Sequence, residues 1–298
     1  MGFQEIKDGV GFIPGAVNTG VIKTGGGGAI LIDSGLEKRR AKKIMNDLRR
    51  EGFYPLALIN THGHADHCGG NNYLQQKTGL KVYASAREAV FIENPWLEPF
   101  YLYSGAAPLP ELENKFLQAK ESRVDRTVEV NEIKEVEIEG VELEFVALTG
   151  HSPGHIGVHC RGIIFSGDSF FSERVVNKHP LPFLTDVEEF LESLSYLREE
   201  DFEHYLPAHG NHAQNISSVI ERNRTAVENI IDFVLERAEN NPTTAQILEQ
   251  IFHRNSAGVD EVQSYYLNRT ALLAFLKHLV SNEKIQASAA PEGIRWKT

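Results

Sequence analysis

Cysteine is scarce in this chain of 298 residues, which contains only Cys68 and Cys160. Two thiols are too few for the disulfide framework of a small exported domain, so the sequence predicts a reducing compartment. No stretch approaches the roughly 20 apolar residues of a membrane-spanning helix, and the opening residues lack a basic stretch followed by an apolar one. We therefore expect a cytoplasmic protein without a membrane segment.

Positive charge is also in short supply. The chain carries 30 Lys and Arg against 41 Asp and Glu, a formal net charge of −11. Such a balance repels phosphate backbones over any distance that salt does not screen. We therefore expect a small-molecule substrate rather than nucleic acid, and the sequence leaves homo-oligomerisation open.

The first two thirds of the chain alternate short apolar runs with helical patterns. This βαβ rhythm predicts sheets covered by helices. The predicted strands are 28–33, 56–60 and 81–84, and the predicted helices are 37–50 and 66–78, the second ended by Gly79.

Further strands are predicted at residues 127–130, 135–138, 141–148, 158–160 and 163–166. Residues 91–124 are rich in aromatics and prolines and fit neither the helical nor the strand period. That segment is predicted to be an excursion over the core, serving as a lid or as a subunit contact.

Sequence character changes near Gln214, which suggests a catalytic domain over residues 1–213 and a C-terminal module over 214–298. Apolar positions from Ile216 to Leu235 follow one face of a long helix. Helical patterns at 244–252 and 265–280 follow, and 285–287 and 294–296 form a hairpin pattern, so the module is predicted to be helical and winged-helix-like. It holds 9 Lys and Arg against 10 Asp and Glu, or −1, which gives no footprint for DNA.

Three histidines and an aspartate lie within six positions, directly after an apolar strand. They are His62, His64, Asp66 and His67, and the small residues Gly63 and Ala65 separate them. Imidazole and carboxylate groups are ligands for borderline metals, and a catalytic site leaves positions for water. The alternative is a chance group of surface or turn-capping residues.

Three more segments place a metal-binding residue type at the end of an apolar strand. They carry His151 (in Gly150-His151-Ser152-Pro153-Gly154-His155), Asp168 (after Gly167) and His209 (after Ala208). Strand ends are where sheet proteins gather functional groups. Taken alone, each residue is equally typical of a loop or a turn.

Together these motifs resemble the metallo-β-lactamase superfamily over about residues 10–213. The shared pattern is His-x-His-x-Asp-His followed by isolated His, Asp and His residues in that order. The resemblance implies an α/β fold, the four-layer αββα sandwich. It also implies one metal held by His62, His64 and His151, and a second held by Asp66, His67 and His209, with Asp168 bridging them and Asp33 orienting a ligand histidine. Capping of a turn is an equally good interpretation of Asp33.

The implied cofactors are two divalent metal ions, zinc with iron or manganese as alternatives. Two cations a few ångström apart would bridge a water, lower its pKa towards about 7 and polarise a carbonyl or phosphoryl oxygen. Attack by a bridging hydroxide needs no protein nucleophile. The predicted catalytic residues are therefore two of the implied metal ligands, Asp66 and Asp168. Cys68 is accordingly interpreted as a small packed side chain.

The segment from Gly150 to His155 is similar to that of glyoxalase II-like enzymes, which implies hydrolysis of a small thioester or ester. The C-terminal module resembles that of lactamase-β-like hydrolases, so an endoribonuclease or phosphodiesterase is an alternative. A mononuclear iron enzyme resembling persulfide dioxygenases is another, and a metal-dependent binding or regulatory protein is a third. Candidate substrate contacts are Tyr101, Tyr103, Arg174 and His179, each of which is equally interpretable as solvated surface.

Overall fold

A computed structural model describes residues 2–129, 133–179, 181–254 and 261–298. The chain groups into two compact units. The first comprises Met1–Thr149, Pro153–Ser169 and Glu200–Ile216, and the second comprises Gly150–Ser152, Phe170–Glu199 and Ser217–Thr298. The domain division at residues 213 and 214 stays a prediction, and two earlier segments, 150–152 and 170–199, group with the C-terminal residues.

The first of two sheets in the first unit is a mixed sheet of seven strands. Its strands are β1 (Gln4–Lys7), β2 (Val10–Ile13), β3 (Thr19–Lys23), β4 (Gly28–Ile32), β5 (Tyr54–Ile59), β6 (Lys81–Ser85) and β7 (Arg126–Val128). β1 to β4 pair antiparallel, whereas β4 to β7 pair parallel. The parallel half contains the predicted βαβ strands, because a parallel pair needs a long crossover. The antiparallel strands β1 to β3 were not predicted.

A second sheet of five strands completes the β-structure of this unit. Its strands are β8 (Lys134–Ile138), β9 (Val141–Ala147), β10 (Ile156–Cys160), β11 (Ile163–Gly167) and β12 (His204–Pro207). β8 to β11 pair antiparallel, and β12 joins β11 in parallel. The four strands predicted between residues 135 and 166 are therefore confirmed. The strand predicted at 127–130 is β7 of the first sheet, and its residue 130 lies outside the described residues.

Alternating residues of the strands build two layers of core. Ile30 and Ile32 of β4 pack with Phe145 and Val158 of the second sheet in a core between the sheets. Leu31, on the opposite face of β4, packs in a separate cluster with residues of the helices. This alternation follows from the two-residue period of a strand buried on both faces. The predicted α/β class is confirmed.

Helices of the first unit connect its parallel strands. They are α1 (Lys38–Arg50), α2 (Ala65–Cys68), α3 (Asn71–Thr78), α4 (Ala86–Glu93) and α5 (Leu97–Leu102). The helix predicted at 37–50 is confirmed. The excursion predicted over 91–124 begins inside α4 and includes the short helix α5.

The single helix predicted over residues 66–78 is wrong, because α2 and α3 are separated by Gly69 and Gly70. A Cβ atom at Gly69 would lie 1.9 Å from the carbonyl oxygen of Leu36. Gly70 donates its N–H to the Gly35 carbonyl at 2.9 Å. The break therefore lets the loop after β4 approach the backbone closely. The predicted end is correct, since Gly79 adopts a left-handed φ of 72°.

The second unit is mainly helical. It contains α6 (Glu173–Lys178), α7 (Val187–Glu199), α8 (Ser217–Ala238), α9 (Thr244–Arg254) and α10 (Val262–Ser281), followed by β13 (Gln286–Ala290) and β14 (Gly293–Lys297). β13 and β14 form the predicted antiparallel hairpin. The indole of Trp296 donates to the Thr244 hydroxyl at 2.9 Å, which fastens the hairpin to α9. The predicted C-terminal helical module is therefore present, and within the described residues no helix combines the length and apolarity needed to cross a bilayer.

Candidate metal centre

Most of the predicted ligands follow the carboxyl ends of strands in the first unit. The loop after β5 carries the buried His62 and leads to His64, which is the N-terminal cap residue of α2. Asp66 and His67 lie in the first turn of α2. Asp168 directly follows β11, and His209 comes two residues after β12. The two packed sheets thereby bring residues that are far apart in sequence to one region.

A buried aspartate fixes the orientation and tautomer of His67. Asp33 Oδ2 lies 2.8 Å from His67 Nδ1, while the Thr61 N–H and hydroxyl donate to Oδ1 and Oδ2 at 2.9 and 2.8 Å. A carboxylate only accepts, so in the neutral, metal-binding form of His67 the proton sits on Nδ1 and the lone pair on Nε2. Nε2 is buried and makes no hydrogen bond within the part of the chain that the structure describes. An orphaned acceptor of this kind fits a metal ligand.

His209 is oriented in the same way, by a backbone carbonyl. Its Nδ1 lies 2.9 Å from the oxygen of Ala16, which makes Nδ1 the donor and, in the neutral ring, leaves the lone pair on Nε2. Nε2 lies 3.1 Å from Asp66 Oδ2 and 3.6 Å from Asp168 Oδ2. The Nε2 atom of His67 lies 3.6 Å from that same Asp168 oxygen. Two imidazole lone pairs and two carboxylates thus converge on one small volume.

These separations suit ligands that share a cation. Tetrahedral zinc with ligands at about 2.0–2.1 Å places any two ligand atoms about 3.3 Å apart. Ligand atoms of Asp66, His67 and His209 all lie within 4.8 Å of one another, and so do those of His62, His67 and Asp168. The donor set is imidazole and carboxylate, which suits zinc, iron or manganese. The residues present therefore fit a divalent metal centre.

His62 and His64 form the other part of the cluster. The Nε2 atom of His62 lies 2.9 Å from Nδ1 of His64, and the Thr61 hydroxyl lies 3.1 Å from His62 Nδ1. Two ring nitrogens at this distance must share a proton or a cation, since facing lone pairs repel each other. The Thr61 hydroxyl therefore contacts both Asp33 and a predicted ligand.

His151 belongs to the segment 150–152, which groups with the second unit. Its Nδ1 lies 2.9 Å from the carbonyl oxygen of Phe183, and its ring contacts those of Phe171 and Phe183 edge to face. The carbonyl only accepts, so Nδ1 donates and Nε2 carries the lone pair. His151 thus has the tautomer of a ligand that binds through Nε2.

The cluster has a strongly negative potential. Burial opposes charging of His67, but Asp168, Asp66 and Asp33 together raise the pKa of His67 well above its ordinary value. Burial acts against ionisation of Asp66 as well, yet His67 and His209 lower the pKa of Asp66 to about 2. The Asp66 carboxylate therefore stays ionised and favours positive charge at this position.

Cys68 has the passive role predicted for it. Burial, reinforced by nearby carboxylates such as Glu98, raises the pKa of the thiol well above its ordinary value. The thiol donates to the Gly63 carbonyl at 3.3 Å. A neutral, packed thiol is a poor nucleophile.

Further residues around the cluster contact the segments that carry the predicted ligands. His155 Nε2 accepts the backbone N–H of Asp168 at 2.9 Å. Gly167 adopts a φ of 54°, and a Cβ there would lie 2.4 Å from His155 Nε2. Thr61, between Asp33 and His62, had no sequence signal beyond its place in the loop.

The predicted substrate contacts lie in both units. Tyr101 is in α5 and Tyr103 directly follows it, and both are half-buried. Arg174 lies in α6 and His179 directly follows that helix, in the second unit. Their role in binding substrate stays a prediction.

The two-sheet fold and the convergent imidazole and carboxylate groups define a metal-dependent hydrolase. Residues 12–209 match the family model of the metallo-β-lactamase superfamily, well over half of the 298 residues. The chain therefore belongs to this superfamily.

Relatives with related names cover part of the chain. It is 27% identical over 144 residues to a hydroxyacylglutathione hydrolase from Nitrosomonas europaea, covering 48% of this chain and 42% of that protein. It is 28% identical over 145 residues to the hydroxyacylglutathione hydrolase GloC from Haemophilus influenzae, covering 48% and 61%. The chain thus spans less than two thirds of either relative.

A solved structure shows the same fold over nearly the whole chain. It is a β-lactamase domain protein from Burkholderia ambifaria, with a TM-score of 0.73 and 19% identity, covering 99% of this chain and 93% of that one. At this identity the likeness shows the fold alone.

Proposed function

We propose that this protein hydrolyses a small thioester or ester at a dinuclear metal centre. The observation that carries the proposal is the pair of imidazoles, His67 and His209, whose Nδ1 atoms are fixed by Asp33 and Ala16 so that both Nε2 lone pairs face carboxylates. The similarity to hydroxyacylglutathione hydrolases supports the thioester class.

The proposed ligand set is that implied by the sequence motifs. His62, His64 and His151 would hold one metal, and Asp66, His67 and His209 the other, with Asp168 between them. For His151, the support is its tautomer and its short tether, because Thr149 and Pro153 on either side both belong to the first unit. Metals bound there would acidify a water and polarise the substrate carbonyl.

The chain's own residues have three tasks in this proposal. Asp33 and the Ala16 carbonyl hold two imidazoles in their metal-binding tautomers. His67 and His209 lower the pKa of Asp66 to about 2, so its carboxylate is ionised throughout the neutral range and can bind a cation or accept a hydrogen bond. His155 fixes the backbone at Asp168 and hence the direction of that carboxylate. None of these tasks needs a protein nucleophile.

A substrate panel with a measured metal content tests the proposal. Purified protein with its metals quantified is assayed with S-lactoylglutathione, an acyl-CoA, an aryl ester, nitrocefin, single-stranded RNA and bis(p-nitrophenyl) phosphate. We expect the highest kcat/KM on a thioester or ester. Asp168→Asn is the background control, because it keeps the shape of the side chain and removes the shared carboxylate.

Preferential cleavage of RNA or of the phosphodiester by the fully metallated protein would replace the thioesterase proposal with a phosphodiesterase. Silence on the whole panel would favour a metal-dependent binding protein. If the purified protein contains one iron ion and consumes a persulfide only in the presence of oxygen, the hydrolase proposal is replaced by an oxidative reaction.

A further inference from the structure

Helix α4 presents a buried carboxylate to the loop that carries His62 and His64. Glu88 is 1% exposed, and its Oε2 accepts the N–H of Gly63 at 2.7 Å. Gly63 is the residue between the two histidines. Glu88 thus bonds to the backbone at the centre of the proposed ligand loop.

The other oxygen of the same carboxylate reaches a second loop. Oε1 of Glu88 accepts the N–H of Gly154, also at 2.7 Å. Gly154 comes three residues after His151 and directly before His155, whose ring holds the backbone of Asp168. One side chain therefore ties two loops together that are about 90 residues apart in sequence, through short charge-assisted hydrogen bonds.

Both contacts depend on the absence of side chains in the loops. A Cβ at Gly63 would lie 2.9 Å from Phe91 Cβ, and one at Gly154 would lie 2.5 Å from the Ser85 hydroxyl. Arg87 adds a hydrogen bond from its guanidinium to the Pro153 carbonyl at 3.0 Å. The first turns of α4 are therefore packed tightly against both loops.

The local sequence accounts for the position of Glu88 but not for its partners. Ser85 caps α4 by accepting the N–H of Glu88, so Ser85 and Glu88 occupy the two ends of a capping-box pattern. In that motif the acidic side chain bonds back to the N-cap N–H. Here both carboxylate oxygens accept from the two loops.

We propose that Glu88 is a positioning residue of the metal centre, a clamp that sets the separation of the His62–His64 loop and the loop after His151. Glu88 acts through the backbone of Gly63 and Gly154. The inference rests on the ligand set of the proposed function but not on the identity of the substrate. Under this proposal α4 helps to position the metal centre, because Glu88 would pass any displacement of the helix to both loops.

The test uses the full chain and the variants Glu88→Gln and Glu88→Asp, with Glu93→Gln as the matched control. Glu93 lies on the same helix and also accepts one backbone N–H, that of Val124 at 2.9 Å, away from the ligand loops. Glu88→Gln keeps the size and one acceptor oxygen, and Glu88→Asp keeps the charge but shortens the reach. Zinc affinity is measured by chelator competition, and amide shifts are measured by NMR on the metal-free protein.

We expect both Glu88 variants to bind zinc about 10- to 100-fold more weakly, the range for partners that orient ligands. The Gly63 or Gly154 amide protons, shifted downfield by the carboxylate, should move upfield in both variants before any metal is added. The d–d spectrum of the cobalt-substituted protein should change, and kcat should fall more than KM rises. Glu93→Gln should match the wild type in each measurement.

Wild-type zinc affinity in a folded Glu88→Gln variant with a lowered melting temperature would make Glu88 purely structural and overturn the proposal. Wild-type behaviour of Glu88→Asp would also overturn it, since charge alone would then suffice. These measurements involve no substrate, so an unreactive substrate panel would contradict the thioesterase proposal and leave this one standing.

Discussion

At the scale of single residues, the hydrogen bond between Asp33 and the imidazole of His67 orients a predicted metal ligand. Asp33 sits in a left-handed conformation with φ of 60°, which turns its side chain towards Thr61 and His67. Aspartate and asparagine tolerate that conformation better than most residues. Asp33 thus adopts an uncommon backbone conformation and, from that position, sets the tautomer of the predicted ligand His67.

Replacing Asp33 with asparagine should separate the hydrogen bond from the backbone conformation. Asn also tolerates the left-handed region, but its amide group must face at least one of the donors that now bond to Asp33, which include the Thr61 N–H and hydroxyl and His67 Nδ1. We expect metal affinity to fall by about 10- to 100-fold, measured by chelator competition. Asp47→Asn, a change at a buried aspartate of α1 paired with Arg50, is the control and should leave affinity unchanged. Equal affinity in Asp33→Asn and the wild type would remove Asp33 from the centre.

Asp66→Ala should lower metal content and activity together. The variant removes one carboxylate from the group that Asp66 forms with His67 and His209, so bound metal should drop towards one ion per chain. Loss of a metal that stabilises charge costs several kcal/mol, so we expect kcat/KM to fall at least about 100-fold. Elemental analysis and circular dichroism check metal and fold. A fully active variant would show that Asp66 is not part of the reactive site.

At the scale of elements, the centre depends on close packing of loops against helices. The break between α2 and α3 places Gly69 and Gly70 against residues 34–36, and Ser34 donates from its hydroxyl to Asn71 at 2.6 Å. The N–H of Ser34 also donates to the His67 carbonyl at 2.8 Å, which fixes α2, the helix that carries Asp66 and His67. A continuous helix over this segment would move both residues.

Gly69→Ala should therefore destabilise the protein. Its added methyl group meets backbone atoms of Leu36, which cannot rotate away, so we expect a loss of at least about 2 kcal/mol in the free energy of unfolding. Gly25→Ala is the control, because nothing lies within 4 Å of its Cβ position. Surface changes of this kind stay within about 0.5 kcal/mol. Urea midpoints compare the two, and equal midpoints would contradict the packing argument.

In the second unit, Asp186 joins two helices and gives stability a defined pH dependence. Its Oδ1 accepts the N–H of Glu188 at 3.0 Å at the start of α7, and its Oδ2 accepts from Lys277 of α10 at 2.8 Å. Burial works to raise the pKa of Asp186, but the bonds from Lys277 and the α7 backbone outweigh it and lower the pKa. A lowered folded-state pKa gives stability that is present above the unfolded value near 3.8 and is lost as pH falls through the folded value.

Asp186→Asn should keep the cap and lose the ion pair. The wild type should be more stable than this variant at pH 7, and the difference should shrink below about pH 4. Glu192→Gln, at an exposed position of the same helix, should show no such pH-dependent difference. Chemical denaturation at several pH values measures this. A difference for Asp186→Asn that is the same at pH 3 and pH 7 would exclude the ion pair as its source.

On the scale of the whole molecule, metal binding and folding are linked. The proposed ligands from separate strands of the first unit meet only when both of its sheets have formed, so metals held by them would bind the native chain in preference to the unfolded one. The net charge of −11 adds repulsion that bound cations partly offset.

Removal of metal should lower the melting temperature. A ligand present at about 1,000 times its dissociation constant stabilises the native state by about 4 kcal/mol, which corresponds to a shift of several degrees in a protein of this size. Differential scanning calorimetry with and without a chelator measures the shift, and added zinc should restore it. A chelator-treated, demonstrably metal-free protein that melts at the original temperature would contradict the linkage.

Local pattern in the sequence was sufficient to predict most helices and strands and to nominate candidate ligands. Local hydrophobic and turn patterns predicted the buried strand before Asp33, the strand before His62 and the hairpin around Pro291. The His62 to His67 motif likewise has a density that few structural roles require. Resemblance to a family supplied the rest of the prediction, including the order of the isolated ligands.

Tertiary structure alone decided what no local pattern encodes. The break at Gly69, the approach of the Ala16 carbonyl to His209 and the two bonds of Glu88 each join residues whose meeting depends on how layers pack. Sequence periodicity reports which face of an element is buried, whereas a hydrogen-bond partner is a property of distance in space. The candidate ligands and Asp33 could therefore be proposed from the sequence, whereas the Ala16 carbonyl and Glu88 could not.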